Sequence, residues 1–162
     1  MKQPLLTTPS DVSLHEPRRR TLANGVELHI LCAAEFEVVR FTFVFRAGSA
    51  QQHKAFVATS TANLLSEGTR DMTAQQIAEQ LDFYGSYFDV NIDRDYVYIS
   101  FCSLSKYFRQ TLAVAEQILL HPIFPEEEMI SYREKRKQQL RIERMKVETE
   151  AREAFARALF GA

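Results

Sequence analysis

Apolar residues recur at every second position in several stretches of the chain, and that period of two predicts half-buried strands. Val26, Leu28, Ile30 and Cys32 alternate with Glu27 and His29, just after Asn24-Gly25, which reads as a two-residue hairpin turn. Further on, Val39, Phe41, Phe43 and Phe45 fall on one face and Arg40, Thr42, Val44 and Arg46 on the other, until Ala47-Gly48-Ser49 ends the run. The segment 86–105, "SYFDVNIDRDYVYISFCSLS", reads as two strands joined by a turn around Asp93-Arg94.

Between these stretches the period changes to that of a helix. A first helix is predicted over about 55–67, with Gly68 as its C-terminal stop. Val57, Ala58, Thr61, Leu64 and Leu65 form its core face, and Thr59, Ala62 and Asn63 its exposed face. A second helix starts after Thr73, whose spacing to Gln76 is a capping box. Its buried stripe is Ala74, Ile77, Ala78, Leu81 and Tyr84, and Gly85 stops it. A third helix, about 106–120, buries Phe108, Leu112, Ala115 and Leu119 and cannot continue through Pro122. Pro125 opens a long charged helix running to about residue 146. A last helical piece, "TEAREAFARALF", ends at Gly161.

This order predicts an α+β fold, a mainly antiparallel sheet with helices packed on one face. Residues 1–17 are polar and Pro-containing and read as a flexible lead-in, with one domain over 18–162. No strand follows the final helix, so the last strands of the sheet are expected beyond residue 162 or in another chain, as in the front part of a longer domain.

Composition narrows the function. The 162 residues suit one compact domain or a fragment, and 46% hydrophobic content is ordinary for a globular chain. The formal net charge of -1, with both signs interspersed, argues against a nucleic-acid partner. The N-terminus lacks the apolar core of a signal peptide, and no window approaches the roughly 20 apolar residues of a membrane span. The chain therefore reads as cytoplasmic, or periplasmic if a leader precedes it, with no membrane partner. Cys32 and Cys102 stand far apart in strand-like segments and read as small buried hydrophobes.

The chemistry-bearing residues are dispersed. His15, His29, His53 and His121 include no pair at the i, i+4 spacing of a helical zinc site, and each reads as a surface or capping residue. There is no G-x-S-x-G elbow and no P-loop. Glu126, Glu127 and Glu128 open the long helix, where carboxylates complement the positive helix end. Glu134, Lys135, Arg136, Lys137, Arg141, Glu143 and Arg144 read as a solvated face with pairing along the helix. Tyr96 and Tyr98 alternate along a strand and read as sheet packing.

The strand ending "FRAGSA", the helix ending "LLSEGT", and then "TAQQIAEQLDFYGSYFDV" and "LLHPIFPEEEM…REKRKQQL" occur in an order and spacing that resembles the M16 metallopeptidase family, which includes insulinase, pitrilysin and mitochondrial processing peptidase. The resemblance spans about 22–161 and implies an α+β sandwich of repeated domains that pair around a peptide-holding chamber. Active members carry H-x-x-E-H on the helix before the "GT". In this chain those positions hold Thr59, Ala62 and Asn63, and the family's third ligand, a Glu on the later helix, falls near Gln139. None supplies an imidazole or a carboxylate. The resemblance thus implies no catalytic residues, no metal ligands and no bound zinc. It also places Asp89, Val90, Asn91 and Ile92 on the edge strand that pairs with extended peptide in active members. The expected function is a non-catalytic half that walls the chamber, holds peptide and supports an active M16 subunit or domain. Two alternatives remain open on the sequence: an interaction module without a protease partner, self-association included, and an active zinc peptidase with a relocated site.

Overall fold

The structure is a computed structural model that describes residues 15–32 and 35–161. The chain divides into two compact units, Met1–Glu37 and Val38–Ala162. Residues 1–14 of the expected lead-in lie outside the described residues, and 15–17 are exposed and irregular.

In the first unit, β1 (Arg18–Thr21) and β2 (Glu27–Ile30) pair antiparallel, with Arg18 opposite Ile30 and Thr21 opposite Glu27. The turn is longer than the two residues Asn24-Gly25 predict. The Leu22 amide donates to the Val26 carbonyl at 2.9 Å and the Gly25 amide to the Leu22 carbonyl at 2.9 Å, so Ala23-Asn24-Gly25 form the loop. Gly25 sits at φ 84°, the left-handed position that a three-residue hairpin loop with a bulge requires. Val26 and Leu28 are exposed rather than half-buried. Cys32 is also exposed, contrary to the expectation of a buried thiol.

The second unit is built on a three-stranded antiparallel sheet in the order β3-β5-β4, formed by β3 (Val38–Phe45), β4 (Tyr87–Ile92) and β5 (Val97–Leu104). The pattern along β3 holds for Val39, Phe41 and Phe43, which are half-buried between exposed neighbours, while Phe45 of the same face is exposed at the strand end. Central β5 is the most buried strand: Val97, Ile99 and Phe101 point to the helices, and Phe101 is 0% exposed. Phe41 stacks on Phe101 with ring centroids 5.3 Å apart, while Phe43 and Phe88 meet the same ring at its edge and at a tilt. Cys102 points to the opposite face and is half-buried, because it alternates with Phe101.

Helices α1 (Val57–Asn63), α2 (Ala74–Phe83) and α3 (Phe108–Leu120) cover the Phe101 face. The core joins Ala62 and Leu65, Ile77 and Leu81, and Val114, Ala115 and Ile118 to β5. α2 follows the sequence closely. Thr73 Oγ1 accepts from the Gln76 amide at 3.2 Å and Gln76 Oε1 accepts from the Thr73 amide at 2.9 Å, which completes the capping box. Ala78 alone leaves the expected stripe and is exposed. In α3 the stripe is rotated from the one predicted: Leu112 is exposed, and Thr111, Val114, Ala115 and Ile118 are buried. The reason is Thr111, whose hydroxyl bonds Ser86 Oγ at 2.6 Å, Ser103 Oγ at 2.9 Å and the Tyr107 carbonyl at 3.1 Å. That polar knot ties α3 to β5 and to the start of β4, and a buried threonine looks like a surface residue in a hydrophobicity pattern.

The long helix α4 (Glu126–Arg144) begins after Pro125, carries Glu126, Glu127 and Glu128 in its first turn and buries no residue fully. α5 (Val147–Phe160) follows and ends at Gly161, φ 82°. The described helices lie against one sheet face or extend beyond it, in the α+β arrangement that the alternating periods predict.

Candidate functional site

The segment around the degenerate positions departs from a regular helix on both sides. α1 has seven residues, shorter than the 55–67 expected. Phe56, immediately before it, has φ 70°, a left-handed conformation uncommon for an aromatic residue, so helical backbone cannot extend N-terminally through it. Three β-branched residues, Val57, Thr59 and Thr61, weaken helix propensity within so short an element. Without a capping side chain at Phe56, Gln52 Oε1 takes up the Ala58 amide at 3.2 Å. Gly68 does not cap α1. It pairs with Thr73 in an isolated bridge, its carbonyl accepts from the Ile123 amide at 3.1 Å, and its φ is 149°.

The faces of α1 differ from the expected ones. Ala62 is buried, 3% exposed, within the core cluster. Val57 and Thr61, expected in the core, are exposed. Thr59 and Asn63 share one side at the i, i+4 spacing, and Asn63 Nδ2 donates back to the Thr59 carbonyl at 2.8 Å. The same nitrogen lies 3.4 Å from Tyr132 Oη, which links α1 to α4.

On α4, Tyr132, Arg136 and Gln139 follow the i, i+4, i+7 spacing of one helix face. Gln139 is exposed and accepts from Arg136 Nη1 at 3.3 Å; no hydrogen bond joins it to Thr59 or Asn63 among the described residues. Arg136 Nη1 also lies 3.7 Å from Glu143 Oε1. The guanidinium sits over the Phe56 ring, 5.8 Å from its centroid, and its Nε is buried without a hydrogen-bond partner. Arg136 is therefore more than a member of a solvated face. Phe56, Tyr132 and Arg136 belong to this junction and were invisible to motif reading. Only the helical spacing of Tyr132 and Arg136 to Gln139 pointed their way.

These side chains offer a phenol, two neutral amides, one secondary hydroxyl and a guanidinium. Among the described residues, no three His, Cys, Asp or Glu side chains come together as metal ligands. A zinc ion, which takes imidazole, thiolate or carboxylate, does not fit the donors at Thr59, Ala62, Asn63 and Gln139. Ala62 has no group that can accept a proton from water.

α1 packs beside β4, which forms one edge of the described sheet. Phe88, Val90 and Ile92 turn to the helix side and pack on the core. Asp89 and Asn91 lie on the other face, opposite Ser100 and Tyr98 of β5. Past Ile92 the chain turns at Asp93, whose Oδ1 accepts from the Asp95 amide at 2.7 Å and the Tyr96 amide at 2.6 Å. Those bonds hold its carboxyl below the usual range. Burial and the hydrogen bond to Asp93 raise the Tyr98 phenol. His29 lies 3.6 Å from Glu27, His121 caps the C-terminus of α3, and His15 and His53 are exposed outside helices and strands.

The sequence profile described as Insulinase (Peptidase family M16) matches residues 34–161. No curated protein matches the chain. Among solved structures, the chain is similar to the peptidase M16 inactive domain from Pseudomonas fluorescens, with a TM-score of 0.82 and 21% identity over 88% of this chain and 35% of that one. It is also similar to a protease from Helicobacter pylori, with a TM-score of 0.72 and 15% identity over 81% of this chain and 32% of that one. The chain thus spans about a third of the length of each of these structures.

Proposed function

The chain belongs to the insulinase family, peptidase family M16, and we propose that within it the chain is a non-catalytic domain that holds extended peptide and supports a zinc-dependent catalytic partner. One observation carries the reading: the positions that would bear H-x-x-E-H hold Thr59, Ala62 and Asn63, with Ala62 in the core and Asn63 engaged by Thr59 and Tyr132. The likeness to a structure described as an inactive M16 domain supports it.

Peptide holding outlives the loss of catalysis because the two rest on different groups. Strand addition uses main-chain N–H and C=O, and the edge strand β4 presents these at alternate residues of 89–92 irrespective of the side chains on α1. A catalytic partner would contribute the metal and the base. The chamber wall in this reading is the edge of β4 with the neighbouring α1.

The test is affinity purification of the tagged chain from its native cells, followed by a peptide-cleavage assay. The reading expects a copurifying M16 protein with H-x-x-E-H, and cleavage that requires both proteins and stops with chelator. Recovery of the chain with copies of itself alone, and no peptidase, would favour an interaction module without a protease partner.

A further inference from the structure

We propose that the cavity between α1, the ends of β3 and β5 and the C-terminal part of α3 is a binding site for a single-chain amphiphile with an anionic head, of the fatty-carboxylate class. The cavity has a volume of about 650 Å³, within the range of small-molecule sites. Its floor is aliphatic: Ala58, Ala62, Leu65, Val97, Ile99 and Leu119. Its mouth carries Arg46, His53 and Lys54, and no carboxylate is among the lining residues. Among the described residues, none of these three lies within ion-pair distance of an acidic side chain. An apolar hollow with the unpaired Arg46 and Lys54 cations at its entrance complements a ligand with a long apolar tail and one negative end.

The site lies on the Ala58–Leu65 side of α1, away from the Asn63–Tyr132 junction, so it does not rest on the peptidase-family reading.

The experiment is calorimetric titration of the full chain with dodecanoate below its micellar concentration, beside dodecanol and dodecyltrimethylammonium. Saturable one-site binding of dodecanoate is expected, with the cationic analogue and the alcohol each about tenfold weaker or worse. Arg46→Ala combined with Lys54→Ala, both on exposed residues, should weaken dodecanoate by about tenfold and leave dodecanol unchanged. Ala58→Leu, which fills the floor, should abolish both; circular dichroism reports whether that variant folds, and the wild-type comparison decides the question without it. Absence of saturable binding, or equal affinity for all three heads, overturns the proposal. So does displacement of dodecanoate by an acetylated Leu-Leu-Asp amide peptide that binds more tightly, which would assign the cavity to peptide.

Discussion

Thr111 shows how much one polar side chain can hold. It is fully buried, and its hydroxyl serves Ser86, Ser103 and the Tyr107 carbonyl together. Thr111→Val keeps the shape and leaves the buried Ser86 hydroxyl without its partner, while the Ser103 hydroxyl keeps the Leu104 carbonyl. Chemical denaturation should show a loss of about 1–3 kcal/mol, against a few tenths for an exposed threonine such as Thr61. Asp93 gives the pH prediction. Its carboxyl is depressed in the folded state, chiefly by the Tyr96 amide and then by the Asp95 amide. Its stabilising contribution is therefore complete above the ordinary value of 3.8 and is lost as the pH falls through the lower folded value. Unfolding followed from neutral pH into that acid range should be less steep for Asp93→Asn than for wild type. Neither residue announces its role in a hydrophobicity pattern. The turn at Asp93-Arg94 was legible, and the threonine knot was not.

The elements were legible where local chemistry and burial agree. Thr73 and Gln76 cap α2 as their spacing requires, and the apolar face of β3 is the inner face. Reading failed where tertiary contacts overrode pattern. α1 is cut short by the left-handed Phe56 and turned so that Ala62, not Thr61, enters the core, because a helix this short takes its orientation from what it packs against. α3 turns to bury Thr111 rather than Leu112. The link from β3 into α1 depends on Gly48, where a Cβ would come within 2.5 Å of the Arg94 and Asp95 backbone. This close approach docks the "FRAGSA" turn on the β4–β5 turn, with Gly48, Ser49 and Ala50 amides bonded across it. Gly48→Ala should force those two turns apart and lower the unfolding midpoint, at a cost of about 1–3 kcal/mol, because the clash is with main chain that cannot rotate away. Gly25→Ala, with open space around it, should cost only the strain of its left-handed backbone.

At the scale of the whole molecule, the family was legible from the order of ordinary segments, none of which carries chemistry alone. The positions of the lost motif were legible too. Their surroundings were not, because Tyr132 and Arg136 reach them from a helix more than sixty residues away in sequence, and only folding brings Asn63 to Tyr132. The β4 edge gives a further expectation. If extended peptide adds there, exchange of those alternate amides of 89–92 that face away from β5 should slow on addition of peptide while β5, already paired on both sides, stays unchanged. No helix among the described residues is long and apolar enough to cross a membrane. The central claim is that α1 and α4 seat no catalytic metal, and its most direct measurement is zinc titration of the isolated chain with peptide hydrolysis followed in the same samples. The account predicts no stoichiometric zinc at micromolar metal and no hydrolysis above the uncatalysed rate, with or without chelator. One tightly held zinc per chain, with peptide cleavage that chelator removes, would contradict it.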